Sequence, residues 1–169
     1  ANCAEEIQQG VLHRLLTEAK DTEWGKKHGY SDAMTYQGFA DNVDVNTYEE
    51  LKGYIQRMRE GESDILWPGK VRWFAKSSGT TNDKSKFIPV SATGLKDTHY
   101  MGGKDSVASY LGINPNSNLF SGKSLILGGS HAPNLNTPKS LVGDLSAILI
   151  ENVPKPVNLT RIPKKKVAL

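Results

Sequence analysis

The hydrophobic positions of the first sixty residues repeat at the spacing of amphipathic helices. Apolar residues three and four apart predict a helix over residues 3 to 20, and a shorter one is predicted over residues 22 to 28. A further helix is predicted over residues 47 to 61, where Thr47 and Glu50 have the spacing of a capping box. The predicted buried faces are Ile7, Val11, Leu12, Leu15, Leu16 and Ala19 in the first helix, and Tyr48, Leu51, Ile55 and Met58 in the last.

After the turn signal Pro68-Gly69, the pattern changes to short segments rich in β-branched and aromatic residues. Two such segments, 71 to 76 and 87 to 90, flank a loop of small polar residues from Ser77 to Ser85. They predict two strands joined by that loop, with hairpin pairing. Because Pro89 has no N–H to donate to a ladder, we expect the second strand to lie at a sheet edge.

The rest of the chain alternates helical and strand-like segments. We expect a helix over residues 93 to 111, a buried strand over 123 to 127, and a long surface loop over 130 to 143. Asp144 is placed to cap a helix through Ile150, and residues 162 to 164 have the pattern of a helix start. The predicted fold class is therefore α/β, with helices packed on a mixed sheet.

Length and composition limit the classes of protein. With 169 residues and 37% apolar residues, the chain is long enough for one domain, and its longest aliphatic runs are far shorter than a membrane span. Its single cysteine, Cys3, excludes a disulfide framework and favours the cytoplasm. The four histidines lie far apart, so a protein-built metal centre is not predicted.

The positive charge is concentrated at one end of the chain. Residues 154 to 169 carry five basic residues and no acid, which is a charge of +5. Because the net charge of the whole chain is +3, the rest of the chain carries −2. This tail holds no aromatic residue on which a base could stack, which argues against a nucleic-acid reader. The expected organisation is a helical segment over 1–66, a core of hairpin, helix and strand over 67–153, and a basic tail over 154–169 that leads into a truncated helix.

The loop between the two predicted strands is where chemistry is expected. It combines hydroxyls, a glycine and a later lysine: Ser77, Ser78, Gly79, Thr80, Thr81 and Lys86. Hydroxyls and inward-turned N–H groups supply many donors in little space, Gly79 permits close approach of the main chain, and Lys86 adds a cation. A polyphosphate site requires many hydrogen-bond donors, close approach of the main chain and a nearby positive charge. From composition alone, a well-solvated hairpin loop is the simpler interpretation.

A second glycine–lysine–serine sequence does not form a nucleotide-binding loop. Gly122-Lys123-Ser124 would need a glycine five positions before Gly122, where Ser117 stands. A strand is also predicted to follow it, where the motif requires a helix. The phosphate-site hypothesis therefore depends on the hairpin loop.

The hairpin loop resembles the phosphate-binding motif of the acyl-adenylate-forming superfamily. The residues that carry the resemblance are Ser77-Ser78-Gly79-Thr80-Thr81, Lys86 and Ile88-Pro89. The version found in the auxin-responsive acyl-acid amido synthetases and their bacterial relatives is the most similar. The approach Trp73 to Lys76, the following helix and the segment at Gly128-Gly129-Ser130 look like the same family.

The resemblance implies a bacterial-type N-terminal fragment of an ATP-dependent ligase, with a partial acyl-adenylate-forming fold. Attack of a carboxylate on the α-phosphorus of ATP would expel pyrophosphate, and the amine of an amino acid would then displace AMP. Ser77, Ser78, Gly79, Thr80 and Thr81 would bind the phosphates, and Lys86 would act on the developing charge. Mg²⁺ would be held through the nucleotide phosphates.

The resemblance has departures, which leave alternatives open. Asp83 stands where the family often has glycine, and the family's adenine, ribose and mobile C-terminal parts are expected beyond residue 169. The partners implied are a small carboxylic acid, an amino acid and the remainder of the same chain, with no membrane. A relative that passes acyl groups to a thiol or only binds ligand is one alternative. A non-catalytic α/β interaction module with a basic tail is another.

Overall fold

A computed structural model describes residues 3–77, 86–154 and 157–163. Its contacts divide the chain into two compact units, Ala1–Val71 and Arg72–Leu169. The first unit is helical, whereas the strands lie in the second. The finer division at residues 66 and 153 stays a prediction.

The first unit contains four described helices: α1 Ala4–Ala19, α2 Glu23–Lys27, α3 Tyr36–Asn42 and α4 Tyr48–Arg59. The predicted helices α1, α2 and α4 are confirmed. The sequence did not reveal α3, because this short helix buries none of its residues and so leaves no apolar period. Its start is fixed locally, since the Thr35 hydroxyl accepts a hydrogen bond from the Gly38 N–H at 3.1 Å.

The predicted buried face of α1 is only partly correct. Leu16 and Ala19 are buried, but Ile7 is 63% exposed and Val11 44%. The C-terminal half of the helix therefore packs in the first unit, and the N-terminal half leaves its apolar side chains in solvent.

Polar contacts fix the ends of α2 and α4. The Glu50 carboxylate accepts a hydrogen bond from the Thr47 N–H at 2.6 Å, which confirms the capping box and lowers the pKa of Glu50. Arg57 on α4 forms a bidentate pair with Glu23 on α2, at 2.9 and 2.7 Å. The Trp24 N–H donates to the Ile65 carbonyl at 3.0 Å, which holds α2 against the segment after α4.

The second unit alternates strands and helices. Its strands are β1 Trp73–Lys76, β2 Phe87–Val90, β3 Ser124–Leu125, β4 Leu141–Gly143 and β5 Arg161–Ile162. Its helices are α5 Ala92–Gly94, a π-helical segment Leu95–Tyr100, α6 Met101–Ile113, α7 Leu145–Asn152 and α8 Val157–Thr160, with a 3₁₀ turn at Pro133–Leu135.

A three-stranded mixed sheet organises this unit, in the order β2-β1-β4. β1 pairs antiparallel with β2 and parallel with β4, so that Phe74 lies opposite Pro89 on one side and Val142 on the other. Phe74 and Val142 are buried. In the described sheet β2 is an edge strand, which confirms the position expected from Pro89 and the predicted hairpin pairing.

Three expectations for the second half were wrong. Residues 130–143 are not all loop, because Leu141–Gly143 forms β4. The segment 123–127 is not a buried strand, since it contains only the two-residue β3, whose residues are exposed. The helix start expected at residue 162 is replaced by β5, and Lys164 lies outside the described residues.

The helix after the hairpin runs without a break from α5 through the π-helical segment to the end of α6. The Ser91 hydroxyl accepts from the Gly94 N–H at 2.9 Å and caps its start. Leu95 packs with Ala75 and Ile148, and Tyr100 packs against the same cluster. The Tyr100 hydroxyl donates to the Leu149 carbonyl at 3.0 Å, and burial raises its pKa. The π-helical turn thus directs both Leu95 and Tyr100 toward α7.

Asp144 precedes α7 as predicted, but its carboxylate accepts a hydrogen bond from another segment. The side chain caps no N–H of α7 and instead accepts from the Ser130 N–H at 2.9 Å. The Ser146 hydroxyl accepts from the Gly129 N–H at 2.7 Å. The segment at Gly129 is therefore held directly against the start of α7.

We predict that Gly129→Ala lowers the free energy of unfolding by about 1–3 kcal/mol, because the packing leaves no room for a methyl group. A Cβ at this position would lie 2.6 Å from the Cβ of Asp144. Gly103→Ala is the matched control, since its Cβ would meet nothing within 4 Å on a helix and alanine favours a helix by up to about 1 kcal/mol. Urea unfolding measures both. Equal stabilities of the two variants would contradict the packing described.

Candidate functional site

The two ends of the hairpin loop are fastened to each other. The Ser77 N–H donates to the Lys86 carbonyl at 3.0 Å, and the Lys86 N–H donates to the Ser77 Oγ at 3.2 Å. Ser77 follows β1 and is half-buried, and Lys86 precedes β2 and is exposed. The predicted strand–loop–strand arrangement is therefore confirmed at its base, where two of the predicted site residues meet.

The other predicted phosphate-binding residues cannot be placed in the same way. Ser78, Gly79, Thr80 and Thr81 lie outside the described residues. Their role in phosphate binding stays a prediction.

A cleft of about 310 Å³ lies beside the base of the loop. β1 and β2 form one wall, and the start of the long helix and α7 complete it. Its lining residues are Ala75, Lys76, Ser77, Ile88, Pro89, Val90, Ser91, Gly94, Thr98, His99 and Leu145. The volume is at the lower end of the range of small-molecule sites.

The chemistry of this cleft suits a small anion with an apolar body. Lys76 and His99 supply basic groups, and Ser77 and Thr98 supply hydroxyls. Among the described residues that line the cleft, none is acidic. Because the remaining wall is largely aliphatic, a carboxylate at one end and a hydrocarbon group at the other would both find suitable surroundings.

The π-helical turn brings two neighbouring residues, Thr98 and His99, to the cleft. Single π-helical turns occur often at functional sites. Sequence reasoning missed both residues, as well as Ser91, because neither their spacing nor their type forms a motif. Thr98, His99 and Ser91 come near Ser77 because the helix that follows the hairpin packs against it.

The described residues contain no group of three or more histidine, cysteine, aspartate or glutamate side chains that could hold a metal ion. Within the same residues, no helix combines the length and the apolar character that crossing a bilayer requires.

Comparison with protein families shows similarity over nearly the whole chain. The family model described as the GH3 family N-terminal domain matches residues 1–159. Indole-3-acetic acid-amido synthetase GH3.17 of Arabidopsis thaliana is 36% identical over 95 residues, which cover 55% of this chain and 16% of the relative. Jasmonoyl–L-amino acid synthetase JAR6 of Nicotiana attenuata is 31% identical over 96 residues, which cover 56% of this chain and 17% of the relative.

Solved structures share the fold. The GH3.15 acyl acid amido synthetase matches with a TM-score of 0.73 and 22% identity, over 98% of this chain and 28% of that chain. A structure of AtGH3.15 in complex with 2,4-DB gives a TM-score of 0.71 and 23% identity, over 89% of this chain and 26% of that chain.

The matched part of the curated relatives is about a sixth of their length. The family model nevertheless covers residues 1–159 of this chain, and the solved GH3.15 structure shares its fold. The chain belongs to the GH3 family, in the region of that family's N-terminal domain.

Proposed function

We propose that this chain is the N-terminal part of an ATP-dependent synthetase that joins a carboxylic acid to an amino acid through an amide bond. Relatives of this chain are named as an indole-3-acetic acid-amido synthetase and a jasmonoyl–L-amino acid synthetase. The observation that carries the proposal is the hairpin base at Ser77 and Lys86, beside a cleft that is lined by Lys76 and His99 and by no acidic side chain of the described residues.

The loop would bind the phosphates of ATP. Hydroxyls of Ser78, Thr80 and Thr81 and nearby N–H groups would donate to phosphate oxygens. Lys86 would stabilise the negative charge that builds on the departing pyrophosphate. Mg²⁺, bound to the phosphates, would neutralise further charge when present. Because the strand β2, and not a helix, follows the loop, hydroxyls and lysine would supply the stabilisation.

The cleft would hold the carboxylic acid, with its carboxylate toward Ser77 and its apolar body against Ile88 and Leu145. A carboxylate placed there lies next to the loop, as attack on the α-phosphorus requires. That attack forms a bond between a carboxylate oxygen and the α-phosphorus, breaks the bond from the α-phosphorus to the oxygen that bridges it to the β-phosphorus, and releases pyrophosphate. The amine of the amino acid then displaces AMP, because AMP is a far better leaving group than the original carboxylate oxygen.

Ser77 would position the loop. Its Oγ accepts the Lys86 N–H, and its own N–H is bonded to the Lys86 carbonyl. The hydroxyl can still donate its proton to a ligand. Its first effect is to fix where Lys86 enters the sheet, and thereby where the lysine side chain can reach.

We predict that Lys86→Ala slows acid-dependent exchange of pyrophosphate into ATP by about 10- to 1000-fold in the full-length protein, because it removes charge stabilisation from the leaving group. Lys52→Ala is the control, since Lys52 is an exposed lysine in the first unit that pairs with Glu49. Circular dichroism establishes that both variants fold.

An unchanged exchange rate in Lys86→Ala would remove Lys86 from the mechanism. Absence of exchange with every acid of a broad panel, in a protein that is folded, would contradict adenylation itself. Exchange without amide product would indicate transfer to another acceptor.

We predict that Ser77→Ala speeds hydrogen exchange of the Lys86 amide and costs about 0.5–1.5 kcal/mol of stability, because the Lys86 N–H loses an acceptor. Ser106→Ala is the control, since its hydroxyl bonds to Gly102 on an exposed face of α6. NMR-detected exchange measures the effect at Lys86. The described contact would be wrong if that amide exchanged at the same rate in both variants.

We predict that Thr98→Tyr raises the KM for the acid by about tenfold or more and changes the KM for ATP by less than about twofold, since the larger side chain fills the cleft. Lys96→Tyr, an exposed change on the same helical segment outside the cleft lining, should leave both constants near the wild-type values. Equal increases for acid and ATP in Thr98→Tyr would place the acid elsewhere.

A further inference from the structure

One side chain of the cleft beside the hairpin base is suited to take up a proton at neutral pH. Among the described residues that line this cleft, the titratable side chains are those of Lys76 and His99. A lysine ammonium ordinarily keeps its proton at neutral pH, whereas an imidazole gains and loses one there. The other polar lining side chains are hydroxyls, which are not bases at this pH. A reaction in this cleft that needs a base therefore points to His99.

The backbone that carries His99 is fixed on both sides. His99 belongs to the π-helical segment Leu95–Tyr100. Leu95, at the start of this segment, is buried, and the hydroxyl of Tyr100, directly after His99, donates to the Leu149 carbonyl at 3.0 Å. The His99 side chain itself is exposed. The fold thus holds the position of the imidazole and leaves it in contact with water, to which it can release a proton.

Of the two steps of the proposed reaction, only the second needs a base. The attack of a carboxylate on the α-phosphorus of ATP moves no proton. The amine of an amino acid is mainly protonated at neutral pH, so it must lose a proton before it can attack. Its nitrogen must lose another as the amide forms. A side chain that accepts a proton from the attacking nitrogen accelerates such a step.

We propose, on the basis of the proposed function, that His99 is the general base of amide formation. Its imidazole accepts a proton from the attacking nitrogen while the nitrogen lone pair forms the bond to the acyl carbon. The bond between this carbon and the oxygen that joins it to AMP breaks, and AMP leaves with the electron pair. The imidazolium then releases its proton to water. Because the cleft is only about 310 Å³ in volume, an acyl group bound there lies near the imidazole.

Two acceptors of different basicity test this role in the full-length protein. Hydroxylamine is mainly neutral at neutral pH and attacks an acyl-adenylate without a catalytic base. We expect His99→Gln to lower the ratio of amide to hydroxamate product by at least about tenfold at a saturating amino acid concentration. Both products come from the same acyl-adenylate, so effects on folding or on the binding of ATP and acid cancel in the ratio. His13→Gln is the control, since His13 is an exposed histidine on α1.

The pH dependence separates a base from a residue that only binds the amino acid. We expect the loss in His99→Gln to shrink as the pH rises from about 7 to about 9, because more of the amine is then neutral. We also expect added imidazole to restore part of the ratio in His99→Ala.

An unchanged ratio in His99→Gln, with acid-dependent pyrophosphate exchange present, would overturn the role of His99 and leave the proposed function standing. A loss that is the same at every pH and is not restored by imidazole would also overturn it. Absence of acid-dependent exchange in the wild-type protein would instead contradict the proposed function, and this role with it.

Discussion

The antiparallel pairing of β1 with β2 is the constraint on which the second unit depends. Four residue pairs, from Trp73–Val90 to Lys76–Phe87, set the register, and the reciprocal contacts of Ser77 and Lys86 continue it to the base of the loop. β4 adds a parallel neighbour on the other side of β1. Because β1 is held on both edges, the point at which the chain leaves the sheet is fixed.

The same pairing also creates the cleft. One wall belongs to β1 and β2, and the helix that begins immediately after β2 returns across them. Its π-helical turn allows Leu95 and Tyr100 to pack toward α7 while Thr98 and His99 reach the cleft. The fold therefore places a basic cleft next to a loop rich in hydroxyls, which supports the proposal of a phosphate site and an acid site side by side.

Sequence reasoning succeeded where local patterns are strong. The capping box at Thr47, the apolar repeat of α4 and the edge position of Pro89 each follow from residue types a few positions apart. It failed where structure depends on distant partners. β4 has three residues and follows two prolines, so its strand identity comes from pairing with β1 rather than from its own pattern. The exposure of Leu125 and Leu127 was missed because apolar composition alone does not show whether another segment packs over these side chains.

The proposed function depends on the loop between Ser77 and Lys86 binding the triphosphate of ATP. The most direct measurement is a crystal structure of the full-length protein with a non-hydrolysable ATP analogue. We expect phosphate oxygens within hydrogen-bonding distance of the loop's N–H and hydroxyl groups, with the Lys86 ammonium beside the β- and γ-phosphates. Phosphates bound at another site, with this loop turned toward solvent, would contradict the proposed function.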